Sequence, residues 1–238
     1  MRVFCGILAS GSSERYSNEK IPKQLEKLGG SALFTITLKN VVESKLFNLI
    51  VVSVIDELEK QFLDNINKEL GPNDDRNNIR VTSGSETRMG SILKIINKLR
   101  ESYTINDDDI LCLCDANRPL VNKELYASVI NEAVINTICC PARPLVDGVG
   151  LVEDGFLTAI PGKSSLQTIQ TPEACNFKQL IQLIEDGKHK DKLGLCEIFL
   201  GVGIKPKVVK SDNRTYKVTY PGDIKVLEAL MDHDDEQL

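Results

Sequence analysis

Short apolar runs alternate with amphipathic segments along most of the 238-residue chain. Residues 3–8, 49–55 and 110–114 are almost continuously apolar, as is typical of strands that are buried on both faces of a parallel sheet. Between these runs, apolar residues recur at helical spacing, most clearly over residues 89–99. The alternation predicts an α/β fold in which helices cover both faces of a mostly parallel, twisted sheet.

The remaining elements follow from the same periodicities. Further strands are predicted at 79–82, 135–140 and 207–210, and further helices at 31–42, 56–70, 123–133, 177–185, 192–200 and 221–231. Residues 141–170 interrupt the alternation, because Gly and Pro separate short runs of alternating apolar residues. We therefore predict a single domain over residues 1–231, with a β-hairpin excursion at 141–170 and an acidic tail at 232–238.

Composition argues against several classes of partner. The net charge is −5 and aromatic residues make up 5% of the chain, with no Trp, which disfavours binding of nucleic acid or an anionic membrane. Seven cysteines with no CxxC, beside two His, favour buried free thiols in a reducing compartment over a zinc site. No apolar stretch approaches the roughly 20 residues of a membrane span, and the apolar N-terminal run is interpreted as a core strand rather than a signal peptide. The expected location is the cytoplasm.

Candidate functional residues follow the strands. Ligands of open parallel sheets bind where the carboxyl ends of the strands meet, so residues 9–15, 83–88 and 115–118 are predicted to lie at one edge. In the first loop (9–24), small residues would let backbone N–H groups approach a phosphate, and Arg15, Lys20 and Lys23 would supply positive charge. The loop contains neither a Walker nor a GxGxxG motif, and an ordinary Gly/Ser turn with solvated charges is the alternative.

Three later segments carry further candidates. Ser85 precedes a predicted helix and is either a ligand or its N-cap. Asp115 ends a buried strand and could hold Mg²⁺ or a sugar hydroxyl, with Arg118 as a phosphate clamp; the alternative is an Asp cap paired with that Arg. Lys217 is predicted in a short strand before a helix, where a lone Lys usually faces solvent.

Together, five segments resemble the motifs of one family. They read LASGSSERYSNEKIPKQ (8–24), SGSETRMGS (83–91), DANRPLV (115–121), TPEA (171–174) and KVTYPGD (217–223). All five occur in the order found in the cytidylyltransferases that make CDP-alcohols, namely the methylerythritol phosphate and ribitol phosphate cytidylyltransferases. The eight-residue spacing of Arg15 and Lys23 looks closer to the ribitol phosphate branch. The resemblance implies a Rossmann-like nucleotidyltransferase fold.

The resemblance also implies a role for individual residues. Catalytic charge neutralisation at the phosphates falls to Arg15, Lys23 and Lys217. Nucleotide-binding positions are Ala9, Ser10, Gly11, Ser12, Ser13, Ser85, Glu86, Arg88, Ser91, Asp115 and Ala116. Acceptor-binding positions are Arg118, Lys163 and Thr171, and Asp115 is the candidate metal ligand. The hairpin excursion is a dimer arm in this family, so a homodimer is expected and Lys163 would serve the partner's site.

The implied reaction is Mg²⁺-dependent transfer of CMP from CTP to a ribitol- or glycerol-like phosphate, with release of pyrophosphate. Methylerythritol phosphate as acceptor, or a weakly catalytic nucleotide-binding protein on the same fold, are the alternatives. Departures from the family pattern concentrate on the acceptor side. TPE replaces TPQ, Pro144-Leu145 replaces an Asp-Thr pair, and Leu193-Gly194 stands near the position of a Thr-Asp pair. Methylerythritol phosphate is therefore expected to be a poor substrate.

Overall fold

The computed structural model describes residues 1–13, 16, 22–70 and 76–235, without the side chains of 232–235. Its helices are α1 (Leu33–Glu43), α2 (Glu59–Glu69), α3 (Arg88–Ser102), α4 (Lys123–Asn136), α5 (Phe177–Glu185), α6 (Leu195–Leu200) and α7 (Asp223–Asp235). Its strands are β1 (Val3–Leu8), β2 (Lys27–Leu28), β3 (Ser31–Ala32), β4 (Leu49–Val54), β5 (Ile79–Ser83), β6 (Ile110–Asp115), β7 (Ile138–Pro144), β8 (Leu151–Glu153), β9 (Phe156–Ala159), β10 (Gln167–Ile169), β11 (Glu173–Asn176) and β12 (Lys207–Lys210).

One mixed sheet forms the centre of the molecule. Within the described ranges it has eight strands in the order β10-β7-β11-β6-β1-β4-β5, and β12 pairs with β7. Strand β1 lies between β4 and β6 and is parallel to both, whereas β10 and β11 are antiparallel to their neighbours. The mostly parallel sheet predicted from the continuous apolar runs is confirmed.

Helices cover both faces of the sheet, as predicted. Along β1, Cys5 and Ile7 join a cluster that includes residues of α1, α2 and α4, whereas Phe4 joins a cluster on the other face with residues of α3, α5 and α6. Successive side chains of a buried strand such as β1 therefore pack against helices on opposite faces, which explains why these strands are apolar at successive positions.

Several elements differ from the prediction, among them the short strands β2 and β3, which were not predicted. The strand expected at 135–140 begins at Ile138, because α4 continues to Asn136 and Thr137 turns the chain with a φ of 71°. Strands β10 and β11 were not predicted. The segment around Lys217 is extended but is not a strand, so that prediction was wrong. Its conformation is instead fixed by hydrogen bonds to neighbouring loops.

Residues 141–170 do contain a hairpin. Strands β8 and β9 pair antiparallel and are exposed, whereas the two ends of the segment belong to β7 and β10 of the main sheet. Helix α7 extends to Asp235, into the segment predicted as an acidic tail. None of the helices in the described ranges is both long and apolar enough to span a bilayer. All seven cysteines are buried and free, as predicted.

Candidate active site

An open cavity of about 270 Å³ lies at the carboxyl ends of the parallel strands. The predicted residues that line it are Ser10, Gly11, Ser12, Lys23, Ser85, Glu86, Arg88, Ser91, Asp115 and Lys217. These residues come from the loops after β1, β5 and β6 and from the segment before α7. The structure thus brings four of the five sequence motifs to one surface, as expected for ligand binding at this edge of an α/β sheet.

The first loop is held in shape by side chains of its own motif. Ser13 has a φ of 61°, and its Oγ accepts a hydrogen bond from the Lys23 N–H at 3.1 Å while donating to Gln24 Oε1 at 3.2 Å. The Gln24 amide in turn donates to the Gly11 carbonyl at 3.1 Å. This clasp joins the two ends of the loop and positions Lys23 at the cavity. Arg15 lies outside the described residues.

The second loop packs tightly against the first. Ser10 and Ser91 are joined by a hydrogen bond of 2.9 Å between their hydroxyl groups, and Ser91 Oγ also accepts from the Ser85 N–H at 3.0 Å. A Cβ atom on Gly84 would lie only 2.1 Å from Ser10 Cβ, so only glycine fits at this contact. Thr87, not Ser85, caps α3, because its side chain accepts from the Gly90 N–H. Ser85 therefore lines the cavity without an N-cap role.

Asp115 is the electrostatic centre of the site. Its carboxylate accepts from Arg88 at 3.1 Å, from Lys217 at 2.9 Å and from Arg118 at 3.4 Å, and it is almost fully buried. Burial raises the pKa of Asp115, but the charges of Lys217, Arg88 and Arg118 outweigh burial and hold that pKa far below its ordinary value. Asp115 is consequently ionised and gathers three cations around one point.

The segment that carries Lys217 is anchored from two sides. Asn117 donates through its amide to the Val218 carbonyl at 2.6 Å, and the Val218 N–H donates back to the Asn117 carbonyl. Asp223 accepts from the Thr219 N–H at 2.7 Å and from the Tyr216 hydroxyl at 2.8 Å. The late motif is therefore folded against the loop after β6, and Lys217 reaches Asp115 instead of facing solvent alone.

A second cavity, of about 390 Å³, adjoins the first. Arg88, Asp115 and Lys217 line both cavities, while Arg118 and Thr171 line only the second. The Thr171 hydroxyl accepts from the Asp115 N–H at 3.2 Å, and the peptide bond between Thr171 and Pro172 is cis. Arg118 also donates to the Thr215 carbonyl. Two predicted acceptor-binding residues thus share a cavity that meets the first one at Asp115.

Glu173 is a buried carboxylate of this second cavity, and the sequence motifs did not predict a role for it. One of its oxygens, Oε2, accepts from the Leu195 N–H at 3.0 Å. Burial raises the pKa of Glu173, although the charge of Arg88 opposes the shift. The only signal in the sequence was the TPE that replaces the family's TPQ.

Several predicted residues lie elsewhere. Lys163 is exposed in the hairpin segment, lines neither cavity and donates to the Val146 carbonyl at 3.0 Å. Ala9 and Ala116 are buried. Their N–H groups donate to the carbonyl groups of Ser53 and Leu8, so they continue the hydrogen bonding of the sheet and support the loops that line the cavity. Four residues of the first cavity lie inside quoted motifs but were given no role: Leu8, Gln24, Thr87 and Asn117.

Known proteins resemble this chain in sequence and in fold. A ribitol-5-phosphate cytidylyltransferase from Lactiplantibacillus plantarum is 27% identical over 97% of this chain and 98% of its own length. Two crystal structures share the fold. The 4-diphosphocytidyl-2C-methyl-D-erythritol synthase from Anaerococcus prevotii has a TM-score of 0.76 and 23% identity, over 97% of this chain and 96% of its own. The 2-C-methyl-D-erythritol 4-phosphate cytidylyltransferase from Francisella tularensis has a TM-score of 0.77 and 22% identity, over 96% of this chain and 99% of its own.

The sequence also matches a family model across nearly its whole length. Residues 3–233 fit the model described as IspD, 2-C-methyl-D-erythritol 4-phosphate cytidylyltransferase. This span contains all five motifs, so the resemblance drawn from them is confirmed. The chain therefore belongs to this cytidylyltransferase family and is a nucleotidyltransferase.

Proposed function

We propose that this enzyme transfers CMP from CTP to ribitol 5-phosphate or a closely related polyol phosphate and releases pyrophosphate. The observation that carries the proposal is the junction of the two cavities at Asp115. A nucleotide in the first cavity and a phosphorylated alcohol in the second would meet beside Arg88 and Lys217, which line both. Two substrates that react with one another need such a shared wall.

The nucleotide belongs in the first cavity. Ser10, Gly11 and Ser12 present a turn of small residues to the triphosphate, with Lys23 beside them. Ser85, Glu86 and Ser91 line the part of the cavity after β5, where the family recognises cytosine and ribose. The clasp of Ser13 and Gln24 holds Gly11 and Lys23 together beside this cavity.

Chemistry here needs positioning and positive charge rather than a protein nucleophile. An oxygen of the acceptor's phosphate attacks the α-phosphorus of CTP in line, and pyrophosphate leaves. Negative charge develops on the oxygens around the α-phosphorus, where Lys23, Lys217 and Arg15 would stabilise it. Arg118 would hold the acceptor's phosphate, and Thr171 would fix the loop that carries Asp115.

Mg²⁺ is the divalent cation that we propose for this reaction. The carboxylates among the residues lining the first cavity are Asp115 and Glu86, and no cluster suited to a metal ion occurs in the described ranges. This set fits an ion that takes one or two carboxylates and completes its shell with substrate phosphates and water. Asp115 would be the protein ligand. Because Arg88, Arg118 and Lys217 already contact its carboxylate, the triphosphate would supply most of the ligands of the ion. When bound, the ion would neutralise phosphate charge.

Two observations support a ribitol-like acceptor, namely the function of a relative with similar sequence and the residues at positions 144–145. The Lactiplantibacillus plantarum relative, which matches 97% of the chain, is a ribitol-5-phosphate cytidylyltransferase. Pro144 and Leu145 stand where the family pattern has an Asp-Thr pair, and neither can offer the hydroxyl and carboxylate of that pair. A site that lacks such partners no longer rewards the matching hydroxyls of a substrate.

Acceptor preference is tested by pyrophosphate release with CTP, Mg²⁺ and a panel of acceptors. We expect kcat/KM for ribitol 5-phosphate to exceed that for methylerythritol phosphate by at least about 10-fold, the loss expected for one hydrogen bond to a charged group. Glycerol 3-phosphate is the third arm, and ATP or GTP in place of CTP are the nucleotide controls. A kcat/KM for methylerythritol phosphate well above the other two would contradict the proposal.

A homodimer through the hairpin segment remains our proposal for the assembly. Val146, Leu151, Val152, Phe156 and Leu157 are all more than half exposed. Together they make an apolar surface in a segment that has no core of its own, and such surfaces in soluble proteins are typical of interfaces. Lys163 lies in the same segment, which would bring it toward the partner's acceptor site.

Light scattering at micromolar concentration provides the test of assembly. We expect a dimer for the wild-type chain and a monomer for Val152→Asp, because burying a new carboxylate in an apolar interface is unfavourable. Val134→Asp is the matched control, since Val134 is similarly exposed, 51% against 63%, but lies on α4. A monomeric wild-type chain, or loss of the dimer in the control alone, would exclude an interface at the hairpin.

The reducing cytoplasm is the compartment that we propose for the reaction. All seven cysteines are free thiols buried in the core. Buried thiols persist where disulfides are not formed, which supports this location.

A further inference from the structure

The buried carboxylate of Glu173 lies at the acceptor cavity without a cation of its own. Its side chain is about 7% exposed and lines the second cavity. Within the described ranges, no Lys or Arg nitrogen forms an ion pair with it, in contrast to Asp115 with its three. A carboxylate that is buried in this way is costly unless hydrogen-bond donors satisfy it. The contacts of Glu173 therefore show how much of the hydrogen-bonding capacity of its carboxylate the protein itself satisfies.

Among the described residues, one hydrogen-bond donor of the protein reaches this carboxylate. The Leu195 N–H donates to Oε2 at 3.0 Å, and Cys196 lines the same cavity. A carboxylate has about four acceptor positions, so acceptor capacity remains unused. Gly194 makes room for the group, because a Cβ there would lie 3.0 Å from Oε2 and 3.1 Å from Oε1. Both oxygens thus lie against the backbone of the loop before α6, at the wall of the cavity.

Side chains of both charges line this cavity. Arg118 and Lys217 contact Asp115, whereas Glu173 adds a negative charge at the start of β11. The Glu173 carboxylate interacts electrostatically with Arg88 and with Arg118. A phosphate is attracted to the cationic side chains and repelled by Glu173. The uncharged, hydroxyl-bearing end of an acceptor suits the carboxylate because hydroxyl groups donate hydrogen bonds.

We infer that the Glu173 carboxylate accepts a hydrogen bond from a hydroxyl on the carbon chain of the acceptor and thereby orients the acceptor's phosphate toward Arg118 and Lys217. Glu173 is in this sense a specificity-determining residue, and the inference rests on the function proposed above. The glutamine of the family's TPQ motif could still accept from the Leu195 N–H through its amide oxygen. It would then present an N–H donor to the cavity where Glu173 presents an acceptor.

The test compares wild-type enzyme with Glu173→Gln on ribitol 5-phosphate and on analogues that each lack one hydroxyl. In the wild type, we expect one analogue to lose at least about 10-fold in kcat/KM, as for a hydrogen bond to a charged group. In Glu173→Gln, KM for ribitol 5-phosphate should rise about 10-fold while KM for CTP stays within about 2-fold, and the penalty for that same analogue should shrink. Glu185→Gln, an exposed carboxylate on α5 paired with Arg100, is the control.

Each other outcome overturns the inference in a distinguishable way. If wild-type enzyme turns over ribitol 5-phosphate but Glu173→Gln changes neither KM nor the analogue penalties, Glu173 does not contact the acceptor. If Glu173→Gln lowers kcat/KM equally for every acceptor, raises KM for CTP as well and lowers the Tm, the carboxylate only supports α6. If wild-type enzyme turns over none of the polyol phosphates, the proposed function fails and the inference fails with it.

Discussion

Replacement of Lys23 by alanine is expected to lower kcat about 10²–10³-fold, the effect typical of removing one electrostatic contact to a transition state. Lys23 lines the nucleotide cavity and is held there by the clasp, in which its own N–H donates to Ser13. Lys23 is only about 9% exposed at the wall of the cavity, but its hydrogen bond to Ser13 comes from the backbone N–H, which alanine keeps, so the loop should hold its shape and the Tm should change little. Single-turnover rates and a melting curve measure the two effects separately.

Lys27→Ala is the matched control for this change. Lys27 belongs to the same stretch of chain but is exposed in β2 and is absent from the lining of the cavity. Its removal should leave kcat within about 2-fold, as for a typical exposed charge. Retention of more than about a third of the wild-type rate in Lys23→Ala would refute a catalytic role for this residue.

Asp115→Asn is expected to reduce both stability and activity, because one carboxylate holds Arg88, Arg118 and Lys217 together. Removal of one partner from a buried ion pair costs about 3–5 kcal/mol, and we expect about 3 because Arg88 and Lys217 reach solvent. Without the shared counter-charge the three cations repel one another, so kcat/KM should fall at least about 100-fold for both substrates. Urea unfolding and steady-state kinetics measure these losses.

The pH dependence of the stability loss gives an independent check. The pKa of Asp115 is depressed in the folded protein, so its contribution is fully present above the ordinary Asp pKa of about 3.9 and is lost as the pH falls through the folded value. The difference in unfolding free energy between wild type and Asp115→Asn should therefore be constant from pH 8 to about 5 and shrink below about 4. Glu101→Gln, at an exposed pair with Lys98, should show almost no difference at any pH. A difference that grows toward acid would contradict the assignment.

The apolar pattern predicted the parallel part of the sheet because those strands are buried on both faces. It failed at β11, which has only four residues, two of them Glu173 and Asn176. That strand is specified by its neighbours: it pairs with β6 and β7 on either side, and no local periodicity reveals such pairing. The end of α4 was misplaced for a related reason, since Val134 and Ile135 are exposed on a helix although their residue types favour strands.

The motifs predicted most of the cavity but not how it is held together. The small residues of the first loop and the charges at 23, 115 and 217 could be assigned because each residue type has a direct affinity for phosphate or cations. The hydrogen bonds of Gln24 and Asn117 could not, since an amide side chain suits many surroundings equally well. Burial of Glu173 was also beyond reach, because a glutamate in a short polar segment ordinarily lies at the surface.

Because β11 runs antiparallel to β6, the preference for the acceptor and the preference for the nucleotide can change independently. Residues on the nucleotide side leave β1, β5 and β6 at their carboxyl ends, whereas Thr171 and Glu173 reach the same edge at the start of an antiparallel strand. Apart from Thr171, whose hydroxyl accepts from the Asp115 N–H, residues at the start of β11 can therefore mutate without displacing the loops that hold the triphosphate. A scaffold of this kind permits descendants to exchange one sugar alcohol for another while they keep a single activated nucleotide.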